Sequence, residues 1–308
     1  MKHIQQSLLR TVGIPRRGRV AVGVAIAIVA ALVIAACGGS SSGSDGGSGG
    51  GGSANANAKV PFKLVTPGTL TVAASATPPD FIVSATGGVS GIVPDILTRF
   101  ADKYGLKTKY DIYSFSAALT AVEGGRADVG GAIYYTTQRA KALLYTSPYA
   151  HDGSYMVLPK SADYTGPSWL QGKTVGVAAG YAQVPYIQKA LGSNHVLQFS
   201  NDQTGVEAVK TGRTVAYVTG GEVTYYTRGD SSLKYVTFKT GQLDQPASVT
   251  TQTDNMFVKC GNSALAKAID DEMQTLRKNG QMKQIFAKYN ESSTYYAQKL
   301  VRKSLCTS

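Results

Sequence analysis

The stretch PDILTRFADKYGLKTKYDIY, residues 94–113, decides the fold class of this chain. Four of its apolar residues recur at the 3.6-residue period of a helix with one buried face, namely Ile96, Leu97, Phe100 and Tyr104. The segment 107–113 that follows is predicted to be a strand. A strand next to an amphipathic helix is the repeating unit of parallel sheets covered by helices, so this stretch predicts an α/β protein.

The same alternation extends outward on both sides. A strand is predicted at 69–74, and a helix at 116–123 and a strand at 129–133 follow. A second series of strands and helices begins at 174–177, after a break near residue 158, and ends in a long helix at 263–279. Two such series predict two α/β lobes.

The N-terminus carries an export signal. Residues 1–36 hold five Lys or Arg and no acid, so +5 of the formal +12 lies there, and they end in the apolar run 20–36. Cys37 follows Ile34-Ala35-Ala36, and this arrangement resembles a bacterial lipoprotein signal, in which the cysteine is lipidated. A single transmembrane anchor is the alternative, because 17 apolar residues reach the lower limit for a span.

Residues 37–60, rich in Gly and Ser, are predicted to be a flexible tether. The remaining charge of +7 forms no Lys/Arg run, and we therefore expect no nucleic-acid partner. Cys260 and Cys306 remain beyond the signal. Outside the cytoplasm such a pair usually forms a disulfide, which would tie the C-terminal tail to the body; two unpaired buried thiols are the alternative.

Motifs for catalysis and metal binding fail on context. The G-x-S-x-G string at 46–50 lies in the tether, with no strand before it or helix after it. Three histidines, His3, His151 and His195, give no metal-ligand spacing. We therefore expect no catalytic residues, no metal and no cofactor.

Two turns have the chemistry of an anion receptor. One follows the predicted strand ending at Ile133 and carries Arg139, whose planar guanidinium can bind both oxygens of a carboxylate. The other runs from Val177 through Gly180 into a helix, whose N-terminus offers free N–H groups. Two such turns on two lobes could close on one small acid.

Seven further stretches, in order, resemble the family 3 extracellular solute-binding proteins of ABC transporters over residues 66–290. They are 68–72 (GTLTV), 91–96 (GIVPDI), 119–128 (LTAVEGGRAD), 136–139 (TTQR), 145–149 (YTSPY), 170–177 (LQGKTVGV) and 212–213 (GR). The resemblance implies a two-lobe periplasmic-binding-protein fold (type II, Venus-flytrap) with two hinge strands. Residues 61–157 and 254–308 would form lobe 1, and 158–253 lobe 2.

The resemblance also implies a ligand site between the lobes. Arg139 would clamp a carboxylate, with the Tyr134 backbone N–H beside it, the Ala132 carbonyl toward an amine and Phe115 against the ligand side chain. On the second lobe the rim would be formed by Ala178, Tyr181, Ala182 and Gln183.

The chain departs from the family pattern where an ammonium group would be held. Gly220 stands where amino-acid binders usually have an Asp, and Ser75 where a first-lobe acid often follows the opening strand. An unpaired buried ammonium is costly. Three explanations remain open: Glu222 or Asp80 substitutes, the tyrosines Tyr134, Tyr135 and Tyr181 supply a cation–π face, or the ligand has no primary amine.

The function implied is a lipid-anchored binding protein on the extracellular face of the cell membrane. It would be a monomer without enzymatic activity, with an amino acid or small carboxylate as ligand and an ABC permease as partner. Two alternatives stay open: an enzyme on the same fold, such as a cyclohexadienyl dehydratase, and a ligand-sensing lipoprotein.

Overall fold

A computed structural model of the chain describes residues 59–296, 298, 300 and 303–306. The strands are β1 Thr69–Ser75, β2 Ile82–Val83, β3 Val89–Ser90, β4 Lys107–Tyr113, β5 Val129–Tyr134, β6 Leu143–Gly153, β7 Tyr155–Pro159, β8 Val175–Ala178, β9 Val196–Phe199, β10 Ala216–Thr219, β11 Leu233–Thr237 and β12 Thr251–Lys259. The helices are α1 Ile92–Tyr104, α2 Phe115–Glu123, α3 Val184–Leu191, α4 Asp202–Lys210, α5 Val223–Thr227, α6 Ala247–Thr250, α7 Ser263–Lys278 and α8 Gln281–Lys288.

The first sheet has the strand order β4-β1-β5-β12-β6. Strand β1 pairs in parallel with β4 and β5, whereas β12 is antiparallel to both β5 and β6. The apolar face of α1 packs in the core of this lobe: Ile96, Leu97 and Phe100 are fully buried, and Tyr104 packs against them. The helix predicted from the opening stretch is therefore present, with its predicted face inward.

The second sheet has the order β11-β7-β10-β8-β9. Strands β10, β8 and β9 run in parallel, and β7 is antiparallel to both β10 and β11. Both sheets are therefore mixed: the predicted parallel strands are present, and each sheet also contains antiparallel pairs. The antiparallel strand in the first sheet is β12, and the one in the second sheet is β7. Each is the strand by which the chain enters that lobe from the other.

The chain leaves the first sheet after Gly153, the last residue of β6, and enters the second at Tyr155. It returns at Thr251, where β12 begins beside β6. The predicted boundary at 157/158 falls inside β7, and the predicted return at 253/254 falls inside β12.

Strand β6 was not predicted from the sequence, because Pro148 interrupts it. Proline cannot donate to a ladder and is found in sheets at edges or bulges. Here both conditions hold: β6 is the edge strand, and its register with β12 shifts on either side of the Asn255–Pro148 pair. The segment therefore lacks a continuous strand pattern in its sequence, although it forms an eleven-residue strand.

The C-terminal tail is joined to the body by a disulfide between Cys260 and Cys306, whose Cα atoms are 5.8 Å apart. Near it the Leu305 N–H donates to the Ala140 carbonyl. Within the described ranges, the helices are too short or too polar to span a membrane. Cys37 and the residues assigned to the export signal lie outside the described part of the chain.

Candidate ligand-binding site

A small cavity with about 20 Å³ of solvent-accessible volume lies where the two lobes meet. This is enough space for about one water molecule, so the two lobes pack closely around the site. Its lining consists of residues named from the sequence, contributed by both lobes: Phe115, Ala132, Tyr134, Arg139, Tyr181, Ala182, Gln183, Gly220 and Glu222.

Two residues named from the sequence do not line this cavity. Ala178 is fully buried in the core of the second lobe, at the end of β8. Ser75 ends β1 opposite Tyr113 and is buried, with a hydroxyl that has no hydrogen-bond partner.

Arg139 stands at the junction of the lobes. It opens a short 3-10 turn after β5, where its backbone N–H donates to Thr136 Oγ1 at 3.2 Å. Its guanidinium donates to the Tyr134 carbonyl on its own lobe at 3.1 Å and to the Gly180 carbonyl of the other lobe at 2.7 Å. Burial lowers the pKa of this guanidinium from its ordinary 12.5. No acidic side chain forms an ion pair with Arg139 among the described residues, so it is the natural receptor for an anion.

The aromatic side of the cavity is held by a buried carboxyl. The rings of Phe115 and Tyr181 meet edge to face at 4.6 Å across the cleft. Asp202, fully buried at the start of α4, accepts hydrogen bonds from the hydroxyls of Tyr181 and Tyr217 at 2.6 and 2.7 Å and of Thr219 at 3.0 Å. Burial raises the pKa of Asp202 to about 6 despite these donors. This network fixes the Tyr181 ring against the ligand space.

The left-handed backbone of Ala132, with φ 55°, links the cavity to Asp80. The Ala132 N–H donates to the Tyr149 hydroxyl at 3.0 Å, and that hydroxyl donates to the Asp80 carboxyl. Asp80 is buried, and its Oδ1 has no hydrogen-bond partner. Non-glycine residues rarely adopt such a φ, which costs about 1–2 kcal/mol and is common at functional sites.

Gly220 is surrounded by oxygens that leave no room for a side chain. A Cβ at this position would lie 2.5 Å from the Tyr134 hydroxyl, 2.7 Å from Glu222 Oε2 and 2.8 Å from Asp152 Oδ2. Carboxylates from other positions thus occupy the space where an acidic side chain at 220 would project. Asp152 was not named from the sequence. It is the second-last residue of β6, and its carboxyl group accepts hydrogen bonds from the N–H of Gly153 at 2.6 Å and from the N–H of Gly221.

Four acidic residues, Asp80, Asp152, Glu222 and Asp254, form what we call the carboxyl cluster. Burial raises the pKa of Asp80 to about 8, with Asp152 adding to the rise, and raises the pKa of Asp152 to about 6. Burial likewise raises the pKa of Glu222 and Asp254 well above the usual range, and repulsion from Asp152 contributes to both. Among the described residues no ion pair joins the cluster to a cationic side chain.

Within the described ranges, the carboxyl groups of the cluster are not arranged so that they could hold a metal ion. Sequence reasoning named Glu222 and Asp80 but missed Asp152 and Asp254. Asp152 lies in β6 and Asp254 in β12, and their side chains share a hydrogen bond. Only the pairing of these two strands could have indicated that the two residues meet.

Two mixed α/β lobes, joined by β6 and β12 and meeting around a small cavity, define a two-lobe binding protein of the type II periplasmic fold. The chain belongs to the bacterial extracellular solute-binding proteins, family 3, whose sequence profile matches residues 70–292.

Several named proteins are similar to this chain. A probable amino-acid-binding protein of Bacillus subtilis, YxeM, is 27% identical over 229 residues, which cover 70% of this chain and 81% of that protein. The virulence sensor protein BvgS of Bordetella pertussis is 24% identical over 209 residues, or 68% of this chain and 16% of the sensor. A solved structure of an ancestral arginine-binding protein bound to glutamine superposes with a TM-score of 0.64 at 25% identity, covering 73% of this chain and 98% of the other.

Proposed function

We propose that this protein is the substrate-binding component of a bacterial ABC importer, which binds an amino acid or related small carboxylate between its lobes. It would be lipidated at Cys37, held on the extracellular face of the membrane as a monomer, and deliver its ligand to a membrane permease. In this proposal the protein performs no chemistry on the ligand.

One observation carries the proposal: a guanidinium and a carboxyl group, Arg139 and Glu222, line the same small cavity between two lobes. A zwitterion presents a carboxylate to the first and an ammonium to the second. Ligand binding would favour the closed form to the extent that the ligand contacts both lobes.

The named relatives support the ligand class. The Bacillus subtilis relative is named as a probable amino-acid-binding protein, and the superposed ancestral protein binds arginine by name and glutamine in its structure.

The ligand is tested by a thermal-shift screen of the full chain in detergent, against the common L-amino acids and matched acids lacking the amine. A ligand at about 100 times its Kd adds about 2.7 kcal/mol of stability, which is a clear rise in Tm. Recovery of the unchanged ligand after long incubation supports binding without turnover, whereas product accumulation would contradict it. An absence of stabilisation by every compound would contradict the proposed ligand class.

The anchor and the transport role need separate tests. In cells fed a clickable palmitate, the wild-type chain should be labelled and Cys37→Ala should not. Deletion of the gene should abolish uptake of the solute identified by the screen.

A sensing role is the second candidate, favoured by the similarity to part of BvgS, a virulence sensor protein. Normal solute uptake in the deletion strain, together with a lost transcriptional response to the same solute, would support sensing instead of transport.

A further inference from the structure

Exposed cations gather at one edge of the first sheet. Each of its five strands brings one basic residue to this edge, either at the end of the strand or in the segment before it. The five are Lys63 before β1, Lys107 at the start of β4, Arg126 before β5, Lys141 before β6 and Lys259 at the end of β12, and all are exposed. We call this set the basic edge. The sequence contains no Lys/Arg run because these residues are dispersed along the chain, and the sheet brings them together.

Strand register and close contacts fix these residues at the same edge. Lys107 pairs with the first residue of β1, and Lys259 pairs with the first residue of β6. The Lys63 carbonyl accepts a hydrogen bond from Asn262 Nδ2 at 2.9 Å, three residues past Lys259. A Cβ at Gly125, in the turn before β5, would lie 3.0 Å from Lys259 Nζ. Lys63, Gly125, Lys259 and Asn262 therefore line one surface groove, of about 370 Å³.

The basic edge carries a surplus of positive charge. None of its five side chains forms an ion pair within the described ranges. Asp128 lines the groove but is buried, and its two oxygens accept hydrogen bonds from the N–H groups of Val65 and Thr71 at 2.6 and 2.7 Å. Two exposed acids, Asp102 and Glu123, lie near the ends of α1 and α2 that lead to this edge. The unpaired cations outnumber these two acids, so the surface suits an anionic partner.

The chain enters the body at the same edge. The described residues begin at Lys59, and the Phe62 ring meets the Tyr104 ring at the end of α1, with centroids 5.1 Å apart. Val65, which lines the groove, is 46% exposed. In the proposed function Cys37 carries a lipid, and a Gly/Ser-rich segment of about 20 residues has a mean reach of about 25 Å. Such a tether would keep the basic edge close to the bilayer surface.

Building on the proposed lipid anchor, we propose that the basic edge binds the anionic phosphate head groups of the bilayer that holds the lipid. Each Lys or Arg near an anionic membrane surface strengthens binding about fivefold. The ligand cavity lies at the opposite edge, where β5 ends at Tyr134, so a body resting on its basic edge keeps the cleft away from the membrane. The contacts are exposed and screened by salt, so this resting position is reversible.

The proposal is tested by lysine footprinting of the full chain reconstituted into vesicles. Exposed lysines are acetylated briefly with a membrane-impermeant reagent and quantified by mass spectrometry, in phosphatidylcholine vesicles and in vesicles that also contain phosphatidylglycerol. The anionic lipid should slow modification of Lys63, Lys107 and Lys259 by about fivefold or more. Lys189 and Lys239, which are exposed on the second lobe, should react equally in both kinds of vesicle. High salt should remove the protection.

Two matched double variants locate the surface. Lys63→Gln/Lys259→Gln removes two charges from the basic edge, and Lys189→Gln/Lys239→Gln removes two from the second lobe. All four side chains are exposed, so both variants should keep a Tm close to that of the wild type. The first variant should weaken the bilayer contact about 25-fold and remove the protection of Lys107. The second should retain it, and equal protection of Lys107 in both variants would contradict the proposal.

The outcomes separate this proposal from the proposed anchor. Flotation of the chain with phosphatidylcholine vesicles reports anchoring alone, because those vesicles carry no net charge. A chain that floats with them but has the same lysine reactivity in both kinds of vesicle overturns the membrane contact while the anchor stands. Protection in anionic vesicles without such flotation overturns the anchor and supports the basic edge, and neither result overturns both. Protection by inorganic phosphate with phosphatidylcholine vesicles would assign the edge to a free anion and overturn the membrane contact.

Discussion

Removing the disulfide should destabilise the protein strongly while changing the ligand site little. Cys260 and Cys306 are separated by 46 positions. The loop-closure relation for a crosslink of that span gives about 4 kcal/mol at 25 °C, which arises from constraint of the unfolded chain. Reduction of the disulfide and substitution of both cysteines should each remove this stabilisation, because each removes the crosslink.

The assay is urea unfolding of wild type and of the double variant Cys260→Ser/Cys306→Ser, which leaves no free thiol in the body. With a slope of about 2–3 kcal/mol/M, a loss of about 4 kcal/mol lowers the midpoint by about 1.3–2 M. The wild-type protein unfolded under reducing conditions should match the variant.

The tail reaches the turn that carries Arg139, so ligand affinity is the second readout. Tyr135 donates its hydroxyl to the Lys303 carbonyl at 3.0 Å, and the Leu305 N–H donates to Ala140 at 3.1 Å. Yet the guanidinium of Arg139 is held by Tyr134 and Gly180, not by the tail. We therefore expect less than a tenfold loss of affinity. An unchanged urea midpoint in the variant would refute the loop-entropy reasoning, and a lost ligand site would refute the separation of tail and cleft.

Three further predictions follow from the cleft itself. Arg139→Ala should abolish carboxylate binding in a calorimetric titration while the Tm stays within a few degrees, because the residue is only partly buried; normal binding would contradict the site. Gly220→Ala should lower the free energy of unfolding by about 1–3 kcal/mol through overpacking and should block ligand binding. Gly221→Ala, where the nearest atom to the new Cβ is 3.1 Å away, should lower it less in the same urea assay. Equal effects of the two substitutions would contradict the crowding at Gly220. Burial raises the pKa of Asp80 from 3.8 to about 8, so the folded protein holds a proton that the unfolded chain releases above about pH 4. The free energy of unfolding without ligand should therefore fall as the pH rises from about 4 to about 8, by about 1.4 kcal/mol per unit for each such group, measured as urea midpoints at pH 5 and 8; a higher midpoint at pH 8 would contradict the burial of protonated carboxyls.

Local periodicity predicted most of the helices and parallel strands because each is stabilised largely by its own apolar face. The predicted segment 107–113 is β4 without change, and the predicted strand 69–74 is β1 without its last residue. Strands β6 and β12 escaped prediction because their stability depends on long-range pairing: β12 pairs with β6 on one side and with β5 on the other, about a hundred residues away in sequence. A polar edge strand that contains Pro148 has no local signature of its own.

The same limit applies to the site. The lining residues near Arg139 were predicted because motifs in the resemblance fix their positions along the chain. Asp152 and Asp254 were not, because what makes them important is their meeting beside Gly220, which depends on the hinge strands. The sequence shows that Gly220 lacks the acidic side chain that the family usually has at this position. The carboxylate beside it, Asp152, lies in β6, a strand that the sequence did not predict.

The position of that carboxylate connects recognition to closure. Asp152 lies on a hinge strand of the first sheet and accepts a hydrogen bond from the Gly221 N–H of the second lobe, while Arg139 donates to the Gly180 carbonyl at 2.7 Å. Each charged end of the cavity thus has a contact between the lobes, in addition to the Arg228–Glu291 ion pair. A ligand cation beside the carboxyl cluster lowers the pKa of these buried acids and favours an ionised carboxylate next to it, and this attraction is stronger in a closed form than in an open form where water screens it. Because a ligand shifts a conformational equilibrium only by its difference in affinity for the two states, the cationic end of the ligand should contribute to closure as well as to specificity.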